Sequence, residues 1–125
     1  MRHHAIQAWN NRAHDVRAKA RKGVIVPIAA REEFLEQIQA IWPRDMRCPA
    51  CGVAMGWKCV RQPDDSKIPS VHKIVPATGY VAGNMAVLCT GCNSTISDAD
   101  TLEKVNRKRA ALDFQATQVE LRRRQ

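Results

Sequence analysis

The chain lacks any apolar run long enough to cross a membrane, and its first residues lack the apolar core of a secretion signal. It also lacks internal repeats and low-complexity tracts. Its 125 residues suit one domain with extensions rather than two full domains. We therefore expect a cytosolic protein without membrane attachment, in which cysteine thiols stay reduced.

Acidic residues are scarce relative to basic ones. The sequence has 20 Lys and Arg against 12 Asp and Glu, which gives a formal net charge of +8. Residues 3–22 contain a single acid, Asp15. Such an excess favours a polyanionic partner, and nucleic acid is the most common one. Charge alone leaves open that the protein is merely basic.

Two helices are predicted before residue 44. Residues 3–22 carry an apolar stripe with steps of three and four, and Gly23 ends the pattern. After an extended link at residues 24–28, residues 29–43 carry a second stripe and end at Pro43. The first stripe consists of Ile6, Trp9, Ala13, Val16 and Ala20, and the second of Phe34, Leu35, Ile38, Ile41 and Trp42.

Helical periodicity disappears over residues 44–97 and returns after Ser97. The expected organisation is a basic N-terminal helical extension (1–43), a core (44–97) and a basic C-terminal helix (98–125). An apolar stripe on the last helix, interrupted by Arg109, could pair two copies or fold back, so the oligomeric state stays open.

Four of the five cysteines form two CxxC pairs, Cys48 with Cys51 and Cys89 with Cys92. Two such pairs of reduced thiols predict a tetrahedral, structural Zn²⁺ site, because four thiolates leave no open coordination position. Metal binding there would supply folding energy of about 10 kcal/mol. We expect Gly52 and Gly91 to permit tight turns beside the pairs, and we expect the fifth cysteine, Cys59, to be a partly buried free thiol.

Between the two pairs, "SVHKI" and "MAVLC" read as short strands joined by a loop with two glycines, and the second pair opens a helix containing Asn93. Alternation along the first strand places Val71 and Lys73 on one face. Ser70, His72 and Ile74 lie on the other. A β-hairpin followed by a helix is therefore predicted.

Residues 44–98 resemble the HNH (His-Me finger, ββα-metal) endonuclease family in a zinc-stapled form. The resemblance is carried by "CPACG", "VHKIVP", "GYVAGN" and "LCTGCN" in this order. The loop is similar to the "KGYVPGN"-like loop of phage-type members. The resemblance implies an α+β fold, in which a zinc-stapled ββα-metal core is flanked by N- and C-terminal α-helices, and a location in the bacterial or phage-infected host cytosol.

The resemblance also implies roles for four residues. His72 and Asn93 match the two ligands of a catalytic divalent cation, Mg²⁺ or Mn²⁺. Asn84 matches the asparagine that braces the loop and orients the general base. Lys73 stands where the family has its general-base histidine, and there the sequence departs from the family. Without the resemblance, His72 reads as a core histidine and Asn84 as a turn residue.

The lysine raises a chemical difficulty, because an ordinary lysine is protonated at neutral pH and cannot accept a proton from water. Three alternatives stay open. Lys73 could bind phosphate while the metal ion activates water. His3, His4, His14 or Tyr80 could serve as the base. Or the protein does not hydrolyse anything.

Two functions follow. The first is a metal-dependent endonuclease that hydrolyses DNA phosphodiester bonds, and this is the function we favour. The second is a catalytically inactive HNH scaffold that binds nucleic acid or a protein as a regulator, phage-encoded and acting on host machinery. In either case we expect backbone phosphates to be contacted by Arg44, Arg47, Lys58, Arg61, Lys67 and Lys73.

Overall fold

The computed structural model describes residues 2–97. The elements are helices α1 (Arg2–Arg21), α2 (Arg31–Ile41) and α3 (Thr90–Ser97), and strands β1 (Pro69–Lys73) and β2 (Met85–Cys89), with a short 3₁₀ turn at Asp65–Lys67. The fold is thus mixed α+β with a small two-stranded sheet. The predicted C-terminal helix lies outside the described residues. None of the described helices combines the length and apolarity that crossing a bilayer requires.

Helix α1 forms where it was predicted, but the face it buries is shifted. Ala5 and Ala8, which are not in the predicted stripe, are its buried residues, whereas Ala20 is exposed. Ile6 and Trp9 pack at the edge of this face as half-buried residues. Small side chains at the centre of this face let α1 approach its neighbours closely. The size of the side chains therefore determined which residues of α1 are buried more than their apolarity did.

Helix α2 buries the predicted stripe. Phe34, Leu35 and Ile38 are each 0% exposed. Glu32 and Glu33 occupy the first turn, where carboxylates complement the helix dipole. The ring of Trp9 from α1 meets Phe34 edge-on, with 5.3 Å between ring centroids. The two helices therefore share one apolar interface.

Strands β1 and β2 are antiparallel, with Pro69 opposite Cys89, Val71 opposite Val87 and Lys73 opposite Met85. Every residue of β2 is buried. That burial is possible because α2 and α3 both contact β2, while α1 and α3 contact β1. A single apolar cluster runs from Ala5 to Cys92, so the core draws on segments on both sides of residue 43.

The loop between β1 and β2 is joined to the link that follows α1. Tyr80 donates its N–H to the carbonyl of Pro27 at 2.9 Å, and Ala29 donates to the carbonyl of Tyr80 at 2.9 Å. Gly79 has φ +78°, and a Cβ there would lie 2.2 Å from the Pro27 oxygen. Only glycine therefore fits this junction.

Candidate metal centre and the adjoining histidine–asparagine pair

The four cysteines of the two CxxC pairs meet in one cluster. Their sulfur atoms all lie within 4.8 Å of one another, and three of the four residues are buried. The Sγ atoms of Cys51 and Cys89 are 3.8 Å apart. In a regular tetrahedron with Zn–S bonds of about 2.3 Å, the sulfur–sulfur edge is about 3.8 Å. The cluster can thus hold a metal ion, and its donor set and size fit structural zinc.

The backbone prepares this cluster. In the first pair, Cys48 donates its N–H to the Val53 carbonyl at 2.9 Å, and Gly52 donates to the Cys48 carbonyl at 2.8 Å. Gly52 has φ +78°, as expected for a tight turn. The expectation for Gly91 was wrong. It lies in the first turn of α3 without a positive φ, because the helix start itself brings the second pair together.

Backbone N–H groups also point at sulfur. Cys89 N donates to Cys48 Sγ at 3.4 Å, and Cys92 N donates to Cys89 Sγ at 3.4 Å. Donors of this kind stabilise thiolates. The first bond links the two pairs, which are 41 residues apart in the chain.

The pKa values of the thiols differ within the cluster. Burial raises the pKa of Cys89 to about 11 and is also the main cause that raises the pKa of Cys92. At Cys51 burial acts in the same upward direction, but hydrogen bonds from the Val53 backbone and the other cysteines outweigh it and lower the pKa. A bound cation must therefore displace thiol protons, so affinity for zinc rises with pH.

Cys59 stands apart from the cluster. It is exposed rather than partly buried as expected, and it lies in a turn in which Cys59 and Gln62 exchange backbone hydrogen bonds. It contributes nothing to the group of four cysteines that could hold a metal ion.

His72 and Asn93 meet beside this cluster. The Nδ1 atom of His72 and the Oδ1 atom of Asn93 are 2.9 Å apart, although the residues are separated by 21 positions. Asn93 also donates from Nδ2 to Ser70 Oγ at 2.7 Å and to the Val71 carbonyl at 3.3 Å. His72 is 5% exposed. Since Asn93 lies directly after Cys92, the cysteine cluster positions one member of the pair.

Asn84 spans the loop between the strands. Its Oδ1 accepts from the Val75 N–H at 3.0 Å, and its Nδ2 donates to the carbonyls of Val75 and Gly79 at 3.0 and 2.7 Å. The side chain is buried. These bonds fix the course of the loop that follows His72 and Lys73.

Lys73 lies against an aromatic ring. Its Nζ is 5.2 Å from the centroid of Tyr80, and the guanidinium of Arg12 in α1 is 5.8 Å from the same centroid. Arg12 also donates to the Tyr80 hydroxyl at 3.2 Å. Two basic side chains from distant parts of the chain thus share one ring in cation–π contact.

The alternative bases lie in other surroundings. His3 and His14 are exposed on α1. Tyr80 is 2% exposed, and its hydroxyl is occupied by Arg12. His4 stacks on Trp42 at 5.2 Å and accepts from Trp57 Nε1 at 2.8 Å. Tyr80 is therefore closed off from solvent, whereas His4 is half-buried.

Five of the six predicted phosphate contacts are exposed, and Lys73 is half-buried. Lys58 forms a surface ion pair with Asp65 at 3.0 Å, and Arg47 donates to the Gly52 carbonyl at 3.1 Å. The exposed side chains are Arg44, Arg47, Lys58, Arg61 and Lys67.

Sequence reasoning missed two contributors to the site. Ser70 anchors Asn93, and its position two residues before His72 on the same strand face was the available signal. Arg12 reaches Tyr80 across 68 positions, and no local pattern indicates such a contact. Comparisons with known protein families, with curated proteins and with solved structures give no match.

Proposed function

We propose that the protein is a metal-dependent endonuclease of the HNH type that hydrolyses DNA phosphodiester bonds. The observation that carries this proposal is the His72–Asn93 pair. An imidazole nitrogen and an amide oxygen converge at 2.9 Å where a strand and a helix meet. That is the arrangement expected of the two protein ligands in a ββα-metal core.

The donor chemistry of the pair fits a small divalent cation. In octahedral coordination with bonds of about 2.1 Å, adjacent ligand atoms are about 3.0 Å apart. Nδ1 and Oδ1 are hydrogen-bonded to each other at 2.9 Å, and this separation is also close to that edge, so a cation would replace the hydrogen bond. Mg²⁺ or Mn²⁺ held by His72 and Asn93 would neutralise charge on the scissile phosphate and on the leaving oxygen.

The remaining residues of the proposed site act on the substrate and on the loop. Lys73, at the end of β1, and Arg12, in α1, both place positive charge beside Tyr80. We assign these two side chains to phosphate binding. Asn84 keeps the loop in place through its three hydrogen bonds. The cysteine cluster, holding zinc, fixes the start of α3 and with it Asn93.

A second function has its own supporting observation. Lys73 contacts the Tyr80 ring as a cation, and a charged ammonium cannot take a proton from water. This favours a non-catalytic protein that binds nucleic acid through the same scaffold, or a regulator that binds another protein.

Plasmid digestion distinguishes the two functions. With Mg²⁺ or Mn²⁺ added to the zinc-loaded protein, we expect nicking by the wild type, and we expect the His72→Ala variant to lose at least about 100-fold in rate, on the scale of losing a positioned catalytic group. The matched control is Asn10→Ala, which removes an exposed polar side chain from α1 and should leave nicking unchanged.

The Lys73→His variant tests whether the wild type lacks only a general base. If the wild type is inactive and Lys73→His cleaves, the scaffold is that of a nuclease without its base, and the non-catalytic function holds. Absence of nicking from both proteins under every divalent cation would overturn the enzymatic proposal.

A further inference from the structure

We propose that a cleft between α1 and the segment 57–68 binds an unpaired nucleobase of single-stranded DNA. This inference rests on DNA being the ligand in the proposed function, and it adds that a strand near the site must be open. The cleft measures about 520 Å³, and it is lined by His3, Gln7, Asn11, Trp57, Lys58 and Ile68.

The aromatic wall of the cleft is held in a fixed orientation. Trp57 donates from Nε1 to His4 Nδ1 at 2.8 Å, and its ring stacks near Trp42, with centroids 6.1 Å apart. Trp57 is nevertheless half-buried, so part of the indole remains accessible. A fixed aromatic face is the usual platform on which single-stranded bases stack.

The helix side of the cleft offers hydrogen-bonding groups. Gln7 Nε2 donates to Asn11 Oδ1 at 3.1 Å, one turn further along α1. The bond aligns the two carboxamides and leaves the Gln7 oxygen as an acceptor and the Asn11 nitrogen as a donor. Both side chains are exposed. An adjacent donor and acceptor match the edge of a nucleobase.

Charge and position also favour a nucleic-acid strand. Lys58 lies at the rim of the cleft, and its ion pair with Asp65 joins two exposed side chains, so its charge remains available to a phosphate. Ile68 lies four residues before His72, or about 13 Å along an extended chain.

A second cleft shows the contrast. It is lined by Arg2, Glu32, Glu33, Glu36 and Gln39, and three carboxylates there repel a phosphate backbone. Of these two clefts, the aromatic one suits DNA better. In an intact duplex the bases are stacked and paired, so only an unpaired base can enter it.

The test compares binding of a short fluorescein-labelled DNA single strand with binding of its duplex form. Fluorescence anisotropy is measured on the zinc-loaded protein without other divalent cations. We expect the single strand to bind about ten-fold more tightly, on the scale of one stacked base. The combined variant Gln7→Ala with Asn11→Ala should lose this preference and keep the duplex affinity and melting temperature of the wild type.

Asn10→Ala is the matched control, because it removes an exposed carboxamide from the same helix outside the cleft. Trp57→Phe should keep most of the single-strand preference, and Trp57→Leu should lose it. Wild-type affinity for the single strand in the Gln7/Asn11 variant, or equal affinity of the wild type for both DNA forms, would overturn the proposal.

The outcomes also separate this inference from the proposed nuclease. Nicking by a wild type that shows no single-strand preference overturns the cleft assignment alone. A preference that the Gln7/Asn11 variant abolishes, in a protein that never nicks, overturns the enzymatic proposal alone. Failure to bind either DNA form overturns both.

Discussion

Among single residues, Gly79 marks the closest approach between two distant segments. It has φ +78°, and a Cβ at this position would collide with the Pro27 carbonyl, whose oxygen would be 2.2 Å away. Gly83 offers a matched comparison, since it has the same φ and nothing within 4 Å of its Cβ position. Alanine substitutions at these two glycines therefore distinguish the cost of a left-handed backbone from the cost of a steric collision.

We expect Gly83→Ala to lower the free energy of unfolding by about 1 kcal/mol, the cost of a left-handed backbone for an L-residue. Gly79→Ala should lower it by about 3 kcal/mol or more, because the junction with Pro27 must also open. Denaturant unfolding of the zinc-loaded variants measures both values. Equal losses would show that the link and the loop do not meet as described.

How far local patterns predict such residues depends on where their partners lie. The cysteine spacing predicts the cluster because each CxxC pair is local, and only the meeting of the pairs is long-range. His72 and Asn93 were paired only through the family resemblance. The contact between Gly79 and Pro27 was not predicted, since a glycine before a tyrosine carries no sign of what approaches it.

Between elements, the docking of α1 depends on a histidine that packs against two tryptophans, whose own ring centroids are 6.1 Å apart. His4 lies 5.2 Å from Trp42 and 6.0 Å from Trp57, measured between ring centroids. Its Nδ1 accepts a hydrogen bond from the Trp57 N–H, so this nitrogen carries no proton and the imidazole is in its neutral form. Burial, with further contributions from His3 and the N-terminal amine, lowers the pKa of His4 from its ordinary value of 6.5.

The sign of the resulting pH dependence is fixed by that shift. Because the folded pKa lies below the unfolded one, His4 contributes stability above about pH 6.5 that is lost as pH falls through the folded pKa. We expect the wild-type melting temperature to fall more steeply between about pH 7.5 and about pH 5.5 than that of His4→Gln, which cannot titrate.

Any acid loss of zinc affects both proteins alike, so only the difference between the two slopes reports on His4. Parallel slopes would contradict the stacked and neutral histidine. His14→Gln, an exposed replacement on the same helix, should follow the wild type.

The helices also show what periodicity can and cannot predict. The stripe of α2 is buried as predicted, because five large apolar residues leave one possible inner face. In α1 the predicted stripe missed Ala5 and Ala8, because alanine weighs little in an apolar pattern yet permits the closest packing. No periodic pattern in the sequence predicts the backbone hydrogen bonds that join Pro27 and Ala29 to Tyr80.

For the molecule as a whole, the cysteine cluster determines how the described parts hold together. It joins the segment that follows α2 to the end of β2 and the start of α3, and it lies against the same apolar core. The region between the two CxxC pairs contains one short two-stranded hairpin, a 3₁₀ turn and long irregular stretches. Zinc binding would supply folding energy that such a region cannot obtain from packing alone.

The most direct test of this account is X-ray absorption at the zinc edge of protein purified without added metal. We predict one zinc per chain with four sulfur neighbours at about 2.3 Å and no lighter ligand, and the same spectrum for Cys59→Ser. A protein free of zinc, or a coordination shell that contains nitrogen or oxygen, would contradict it.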